Sequence, residues 1–246
     1  MAKTVADVMK MVKENEVKFV DFRFTDTRGK QQHTTVPVSH FDEDKFISGH
    51  AFDGSSIAGW KGIEASDMQL IPDPNSANID PFFEETTLIL TCDVIAPSDG
   101  KAYDRDPRSI ATRAEAYLKA SGLGDTAYFG PEPEFFIFDG VRWSTEPNHT
   151  FYEIEEYEAP WNTGSKLEGG NRGHRPTVKG GYFPVPPVDS TQDMRAEMSL
   201  ILESLGIPVE VFHHEVAGAG QNEIGTRFST LVERADWTML QKYVIH

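Results

Sequence analysis

Four glutamates in two short segments have the residue type and spacing that could do chemistry. Glu132 and Glu134 lie two residues apart in an aromatic-rich, strand-like run, and Glu215 and Glu223 flank a glycine-rich segment. Side chains alternate across a strand, so Glu132 and Glu134 are predicted to share a face, about 6.6–7 Å apart. Close carboxylates repel each other unless a cation lies between them, and Mg2+ prefers carboxylate and phosphate oxygens. The spacing therefore predicts a metal-dependent phosphoryl-transfer site, with ordinary solvent-exposed glutamates as the alternative.

The segment around Glu215 and Glu223 is predicted to form a β-hairpin. Gly218 and Gly220 are typical of a tight loop, and strand-like runs flank them. A hairpin centred on Ala219 would place Glu215 directly opposite Glu223, about 5 Å away. The predicted strands are Ile207–Val216 and Gln221–Ser229, joined by the loop Ala217–Gly220.

Composition and charge argue against several classes of function. The chain has 246 residues, 39% hydrophobic and 25% charged, which is typical of globular proteins. Its formal net charge of −16 argues against a nucleic-acid partner, which requires a basic surface. Long apolar runs and the pattern of a signal peptide are absent, so no membrane association is predicted. A single cysteine, Cys92, excludes an internal disulfide framework, and a cytoplasmic location is predicted.

The first hundred residues are predicted to form a small mixed α+β domain. Thr4 can cap a first helix, and a Pro-, Ser- and Asp-containing linker near Ala96–Asp106 is predicted to end the domain. Cys92 is predicted to be a small buried residue of a strand. The predicted strands of this domain are Phe19–Phe24, Gln31–Val36 and Thr86–Val94.

The following residues are predicted to alternate between helices and strands. Asp106 and Pro107 begin a helix that Gly122 ends, and Tyr128–Phe138 is predicted to be one continuous strand that bears the first glutamate pair. A second helix is predicted to begin at Ser190 or Thr191 and to end at Gly206. Its predicted inward side chains are Met194, Met198, Ile201, Leu202 and Leu205.

Residues 139–178 are predicted to form long loops. This stretch contains the glycine-rich segment Gly169–Gly173 and an acidic patch, for which a solvated surface is the expectation. The acidic residues of the patch are Glu153, Glu155, Glu156 and Glu158.

A last helix is predicted to start after Ser229 and is still periodic at His246. The sequence shows none of the glycine, proline or polar residues that usually end a helix. The chain therefore looks truncated, and a polypeptide that ends at His246 is expected to be catalytically inactive.

Four segments together resemble bacterial type I glutamine synthetase. They occur in the order and spacing of that family, and the similarity extends from about Val17 to His246. On this resemblance the chain is identified as the N-terminal half of a family member. The segments are Phe52–Ile57 (FDGSSI), Phe129–Glu134 (FGPEPE), Lys179–Pro184 (KGGYFP) and His213–Glu223 (HHEVAGAGQNE).

The resemblance implies an α+β fold and a glutamate–ammonia ligase. The implied parts are an N-terminal helix (1–13), a β-grasp-like domain (14–102) and an incomplete catalytic domain with a curved antiparallel sheet (103–246). The intact oligomer is expected to condense L-glutamate with ammonia, using ATP and a γ-glutamyl phosphate intermediate. Two divalent ions, Mg2+ or Mn2+, are expected in each active site. The implied assembly is a homo-oligomer, a dodecamer of two stacked hexameric rings with active sites between subunits.

By motif position, the resemblance also implies metal ligands. Glu134, Glu215 and Glu223 resemble ligands of the first metal ion, and Glu215 is counted among the catalytic residues. Glu132 resembles a ligand of the second ion, whose other protein ligands would lie beyond His246.

Further resemblances assign the substrates. Asp53 resembles the carboxylate that binds ammonium and removes its proton, with Ser56 and Tyr182 at the same subsite. Asp53 and Trp60 are expected to act on a neighbouring subunit. The residues expected around the nucleotide are Glu210 and Phe228, and His213 is expected near its phosphates.

Each of these roles has a structural alternative. Asp53 could belong to an ordinary turn, and Trp60 could be an apolar surface anchor. His213 and His214 alternate across the predicted strand, so only His213 is expected to share the face of Glu215.

Two other functions remain open at this point. One is a γ-glutamyl–amine ligase on the same fold, and the other is a non-catalytic scaffold that retains the fold.

Overall fold

The first helix is capped by residues that lie close together in the sequence. In the computed structural model of the protein, which describes residues 2–98, 100–162 and 175–246, the Thr4 hydroxyl accepts a hydrogen bond from the backbone N–H of Asp7. The Asp7 carboxylate in turn accepts the backbone N–H of Thr4. This reciprocal capping box begins the helix at Val5, as predicted. The predicted loop segment Gly169–Gly173 lies outside the described residues.

Helices and strands alternate along the chain. The α-helices are α1 (Val5–Glu14), α2 (Lys45–Ser48), α3 (Pro107–Ser121), α4 (Gln192–Ser204) and α5 (Leu231–Ile245). The strands before α3 are β1 (Phe19–Thr25), β2 (Gln31–Pro37), β3 (His50–Asp53), β4 (Asp67–Pro72), β5 (Asn78–Ile79), β6 (Thr87–Ala96) and β7 (Lys101–Ala102). The later strands are β8 (Tyr128–Phe129), β9 (Glu134–Phe136), β10 (Gly140–Glu146), β11 (His149–Glu155), β12 (Val209–His214), β13 (Gln221–Thr226) and β14 (Ser229–Thr230).

The chain divides into two compact units. The first unit comprises Met1–Phe129 and Ser229–Tyr243, and the second comprises Gly130–Phe228 and Val244–His246. Each unit has its own sheet.

A seven-stranded sheet forms the framework of the first unit. Its main order is β2-β1-β6-β4-β3, and the short β5 and β7 also pair with β6. β1 and β6 run parallel, whereas the other pairs are antiparallel. The three strands predicted for this region are confirmed as β1, β2 and β6, and the apolar runs of β1 and β6 are the buried ones.

The core of the first unit lies along the sheet and α1. Val8, Phe22, Met68 and Leu90 are fully buried there. Cys92 in β6 is also buried, as predicted, and burial raises the pKa of its thiol well above the ordinary value.

Trp60 belongs to the same core, so its interpretation as a surface anchor is wrong. It is only 6% exposed and its ring contacts those of Phe24, Phe52 and Tyr103. An indole with this much apolar surface is stabilised by burial among other aromatic rings.

The helix α3 has the predicted ends. The Asp106 carboxylate accepts the backbone N–H groups of Arg108 and Ser109, with Pro107 at the first helical position. Gly122 ends the helix with a φ of 72°, a left-handed conformation that glycine adopts without strain.

The predicted continuous strand Tyr128–Phe138 is interrupted. β8 pairs with β14 in the first unit, whereas β9 pairs with β13 in the second. Pro131 and Pro133 lie between β8 and β9, and proline has no N–H to donate to a ladder. Glu132 therefore lies outside any strand, and the predicted strand spacing between Glu132 and Glu134 is wrong.

In the second unit β9, β12 and β13 form an antiparallel sheet in the order β12-β13-β9. A separate hairpin, β10–β11, occupies residues 140–155 of the region that was predicted to be long loops. That prediction is wrong for residues 140–155, where apolar and polar side chains alternate around the turn at Pro147 and Asn148.

The acidic patch divides into an exposed and a buried pair. Glu153 and Glu155 are exposed on β11, and the Glu153 carboxylate forms an exposed ion pair with Arg142. Glu156 and Glu158 are buried, so a solvated surface was the wrong prediction for these two residues.

The helix α4 lies within the bounds predicted for it, and Leu202 and Leu205 are buried as predicted, whereas Met198 and Ile201 are half-buried. Met194, predicted to point inward, is 42% exposed. The buried residues are Arg195, Ser199 and Leu202, which also follow helical spacing. The sequence pattern identified Leu202 but missed Arg195 and Ser199, because both are polar.

No helix in the described part of the chain combines the length and the apolar character that crossing a membrane requires.

Candidate metal centre

The hairpin β12–β13 positions the central residues of the site. Its register pairs His213 with Glu223 and His214 with Asn222. The predicted pairing of Glu215 with Glu223 is therefore wrong, since the hairpin is centred on Gly218 and not on Ala219. Gly218, at the centre, and Gly220, two residues after it, have φ angles of 142° and 69°, conformations that favour glycine.

His213, Glu215 and Glu223 converge on one small volume. One ligand atom from each of the three lies within 4.8 Å of the other two. His213 Nδ1 is 3.9 Å from Glu215 Oε1, and its Nε2 is 3.7 Å from Glu223 Oε2. Both glutamates are buried, which is unusual for carboxylates without a partner cation.

Glu134 joins this group through the sheet. It lies on β9 directly opposite Glu223 on β13, and its carboxylate accepts a hydrogen bond from the Gln221 side chain. Glu132 is exposed in the loop before β9.

The charge of Glu223 is affected by the other three glutamates. Burial raises the pKa of Glu223, His213 lowers it, and the charges of Glu132, Glu215 and Glu134 raise it. The structure therefore brings Glu215 and Glu223 together and places Glu134 opposite Glu223, although not with the predicted hairpin register.

The donor set fits a divalent cation. Across residues 2–98, 100–162 and 175–246, no lysine or arginine forms an ion pair with Glu134, Glu215 or Glu223. Carboxylate oxygens suit Mg2+ and Mn2+, and an imidazole nitrogen suits Mn2+ better than Mg2+. A bound cation would remove the repulsion that burial and like charge impose on Glu223.

Tyr182 lies beside the cluster. Its ring stacks on Phe183 at 3.8 Å between centroids and meets the His213 ring edge-on at 5.6 Å. The preceding Gly181 is closely packed, because a Cβ there would lie 2.5 Å from the Glu215 carbonyl oxygen. The backbone of this segment therefore approaches the cluster as only glycine allows.

The other predicted site residues of the second unit are exposed. Glu210 lies on β12, and Phe228 follows β13 with 54% of its surface exposed.

Asp53 and Ser56 belong to the first unit and are exposed there. Hydrogen bonds from the Ser55 side chain and backbone lower the pKa of Asp53, so this carboxylate is ionised at neutral pH. Trp60, which was expected to contact a neighbouring subunit, is buried and has little surface to offer.

Sequence reasoning missed the buried pair Glu158 and His214. His214 Nε2 lies 2.7 Å from Glu158 Oε2, while Nδ1 faces the carbonyl of Gly181 at 2.7 Å. Burial would lower the pKa of His214, but the Glu158 carboxylate and the carbonyl contacts raise it above its ordinary value. Burial would likewise raise the pKa of Glu158, but hydrogen bonds from His214, Ser190 and Gly220 lower it to about 2.

A second buried group missed by the sequence supports β13. Arg195 on α4 donates to the Asn222 side chain and to the Asp189 carboxylate. Asn222 immediately precedes Glu223, so α4 fixes the strand that carries this ligand. No pattern in the sequence indicated Arg195, since an arginine on a helix is ordinarily exposed.

Comparison with protein families identifies both parts of the chain. Residues 16–97 match the glutamine synthetase beta-Grasp domain, and residues 104–246 match the glutamine synthetase catalytic domain. The chain belongs to the glutamine synthetase family.

Curated relatives in the glutamine synthetase family are similar along nearly the whole chain. Glutamine synthetases of Vibrio cholerae and Escherichia coli K12 are 57% and 56% identical over 99% and 97% of it. A protein of Cupriavidus pinatubonensis named 3-hydroxylaminophenol mutase is 76% identical over 100% of it. The chain spans about half the length of these relatives, 52%, 51% and 52% respectively.

Solved structures agree with the fold. The Plasmodium falciparum glutamine synthetase structure superposes with a TM-score of 0.87 at 25% identity, over 100% of this chain and 49% of that one. A GmaS complex with ADP superposes with a TM-score of 0.72 at 21% identity, over 97% of this chain and 48% of that one, a likeness of fold alone.

Proposed function

We propose that the whole protein to which this chain corresponds is a glutamate–ammonia ligase that makes L-glutamine from L-glutamate, ammonia and ATP. The observation that carries the proposal is the convergence of His213, Glu215 and Glu223, with Glu134 directly opposite Glu223 in the sheet, in a member of the glutamine synthetase family. Because the chain spans about half of its relatives, the proposal concerns the whole protein.

The residues of this chain divide the work of such a reaction. Glu134, Glu215 and Glu223 would hold a first Mg2+ or Mn2+ ion, and Glu132 would help to hold a second. Bound divalent ions would neutralise the phosphate charge and hold the attacking carboxylate in line, which favours formation of γ-glutamyl phosphate. The expected nucleotide contacts are His213 near the phosphates, with Glu210 and Phe228.

Ammonia must reach the acyl phosphate as a neutral nucleophile. Asp53 is exposed and ionised, so it can attract ammonium and accept its proton. Ser56 and Tyr182 are proposed to complete this subsite.

The direct test is the formation of glutamine by the whole protein. We expect glutamine and ADP in equal amounts when ATP, glutamate, ammonium and Mg2+ or Mn2+ are all present, and none when the divalent ion is chelated. Turnover that survives chelation would contradict the proposal.

The role of Asp53 has a separate test. Asp53→Ala should reduce kcat/KM for ammonium by about 100-fold, a size typical of lost acid–base catalysis. ATP binding should be unchanged. Equal loss of ammonium use and ATP binding would contradict this role.

The subunits are proposed to assemble as two stacked hexameric rings in the cytoplasm. In support, the hairpin β10–β11 exposes large aromatic side chains, with Trp143 68% and Tyr152 79% exposed. Exposed aromatic surface of this kind is typical of protein interfaces. Native mass spectrometry of the whole protein would show twelve subunits if the proposal is right.

A second candidate function follows from one observation, the 76% identity to the protein named 3-hydroxylaminophenol mutase. If the mutase activity is the relevant one, 3-hydroxylaminophenol should be isomerised without ATP or glutamate. A γ-glutamyl–amine ligase is the third possibility. Competition between ammonium and organic amines in the glutamine assay separates it from the first.

A further inference from the structure

The buried carboxylate of Glu158 occupies an unusual position behind the candidate metal centre. It lies between β11 and the short helix Pro160–Asn162 and is 2% exposed. Four donors surround its two oxygens. Oε1 accepts the backbone N–H and the hydroxyl of Ser190, at 2.6 and 2.5 Å. Oε2 accepts His214 Nε2 at 2.7 Å and the backbone N–H of Gly220 at 3.1 Å.

These four hydrogen bonds join three segments. Ser190 precedes α4, His214 ends β12, and Gly220 lies immediately before β13. The carboxylate therefore ties both ends of the β12–β13 loop to the start of α4. Glu215 lies next to His214, inside the loop that is held in this way.

The His214 ring extends the same network to a fourth segment. Its Nδ1 lies 2.7 Å from the Gly181 carbonyl and 3.0 Å from the Glu215 carbonyl, both of which can only accept. Gly181 precedes Tyr182, whose ring meets that of His213. Through His214, Glu158 thus acts on the backbone beside Glu215 and beside Tyr182.

We propose that Glu158 is the positioning residue of the metal centre, where its carboxylate and His214 fix the β12–β13 loop and the Gly181–Tyr182 backbone so that Glu215 and Glu223 meet one divalent cation. This inference rests on the proposed function, because it assumes the cation. Both carboxylate oxygens of Glu158 accept hydrogen bonds from the protein, so its role is to position the loop and not to bind the metal.

The substitution Glu158→Gln tests the role of the carboxylate. A glutamine amide has one accepting oxygen and one donating nitrogen, so two of the four donors would face an NH2 group. Mn2+ is the probe, titrated into the whole protein and followed by electron paramagnetic resonance. We expect the affinity for the first Mn2+ to fall roughly 10–100-fold, as is typical when a residue that orients metal ligands without binding the metal is replaced. The spectrum of the bound Mn2+ should also change.

Glu156→Gln is the matched control. Glu156 is buried two residues away, and the one N–H its carboxylate accepts, that of Glu158, can still be accepted by a glutamine oxygen. We expect its Mn2+ affinity and spectrum to equal those of the wild type.

Two outcomes overturn the proposal. One is a folded Glu158→Gln protein that binds Mn2+ as tightly as the control, with the same spectrum. If Glu158→Gln does not fold, Ser190→Ala replaces it, since this change removes one donor from the surface side of the network. Ser190→Ala should weaken Mn2+ binding about fivefold, the equivalent of one net hydrogen bond. Unchanged binding by this variant overturns the proposal as well.

Failure of the proposed function gives a different result. If wild-type protein and Glu223→Gln bind Mn2+ equally, the metal centre itself is refuted, whatever Glu158→Gln does.

Discussion

Three carboxylates surround Arg108 in the first unit, whereas in the described part of the second unit Glu215 and Glu223 converge with the imidazole of His213 and without a lysine or arginine. Arg108 Nη2 lies 2.6 Å from Asp73 and 3.0 Å from Asp236, and Nη1 contacts Asp93. These contacts raise the pKa of Arg108 against the effect of its burial. The acidic side chains there are neutralised by the protein itself.

The first unit contains a second group of the same kind. The buried Arg23 forms ion pairs with Asp21 at 2.7 Å and with Asp80 at 2.8 Å. Both aspartates are fully buried at their side chains, so each would be costly without the guanidinium.

Within the described residues of the second unit, no lysine or arginine forms such an ion pair with Glu134, Glu215 or Glu223. Burial and the like charges of neighbouring glutamates raise the pKa of Glu223, against the lowering effect of His213. We infer from this difference that the two kinds of acidic cluster have different roles. Clusters with an internal cation stabilise the fold, and a cluster without one is suited to a cation from solution.

The largest expected effect is that of removing Arg108, the cation within the acidic cluster of the first unit. Arg108→Met should destabilise the first unit by about 3–5 kcal/mol, because it leaves three partly buried carboxylates without their partner. Hydrogen exchange of the amides of β6, the strand that contains Asp93, measures the local change in stability. Arg142→Met is the control, since its ion pair with Glu153 is exposed and should contribute less than about 1 kcal/mol. Equal effects of the two substitutions would remove the distinction between buried and exposed pairs.

The second prediction concerns the divalent cation that the second unit would bind from solution. Glu223→Gln should weaken Mn2+ binding by more than about 100-fold, or about 2.7 kcal/mol, since it removes a ligand charge. Without metal the same substitution should stabilise the second unit, because it relieves like-charge repulsion. The exposed Glu203→Gln on α4 serves as the control and should change neither quantity. If Glu223→Gln destabilises the metal-free protein, the cluster is a structural one.

A third prediction concerns the buried carboxyl group of Glu156. Burial and the Glu158 carboxylate raise the pKa of Glu156 to about 7, from 4.5 in the unfolded chain. The folded state therefore binds more protons between these values, and stability should fall as the pH rises from 4.5 to about 7. Glu158 has the opposite effect, since its lowered pKa gives a stability that is complete above pH 4.5 and lost below it.

Glu156→Gln isolates the first of these effects. The variant should be more stable than the wild type by about 1–2 kcal/mol at pH 8, and the difference should vanish near pH 4.5. Urea titrations at the two pH values provide the measurement. A difference that does not depend on pH would show that Glu156 acts by packing and not by charge.

Much of the first unit could be predicted from sequence because its elements depend on local chemistry. Thr4 and Asp106 cap helices through atoms within three residues of themselves, and the apolar run of β6 indicates burial without any knowledge of its partners. The four site glutamates were predicted for a similar reason. Their spacing and their family resemblance are both properties of short segments.

Some of the incorrect predictions concern local turn geometry, and others depend on partners distant in sequence. A difference of one residue in the hairpin centre replaces Glu215 by His213 opposite Glu223, and only the conformations of Gly218 and Gly220 decide between them. The burial of Trp60 depends on rings from three other segments. Glu158 is one of several glutamates in its segment, and nothing local distinguishes it from the exposed ones.

The smallest predicted effect tests whether Arg23 alone is enough to neutralise Asp80. Tyr243 donates a hydrogen bond to Asp80 Oδ2 at 2.8 Å, and its ring lies 4.1 Å from the Arg23 guanidinium. Tyr243→Phe removes the hydroxyl but keeps the ring, and Asp80 retains Arg23. The loss should therefore be only about 1 kcal/mol, the net value of one hydrogen bond. Hydrogen exchange in β1 measures it, with the exposed Tyr117→Phe as a control that should show no change. A loss as large as that of Arg108→Met would mean that Asp80 is not neutralised by Arg23, and that the first unit also depends on a partner beyond its own basic residues.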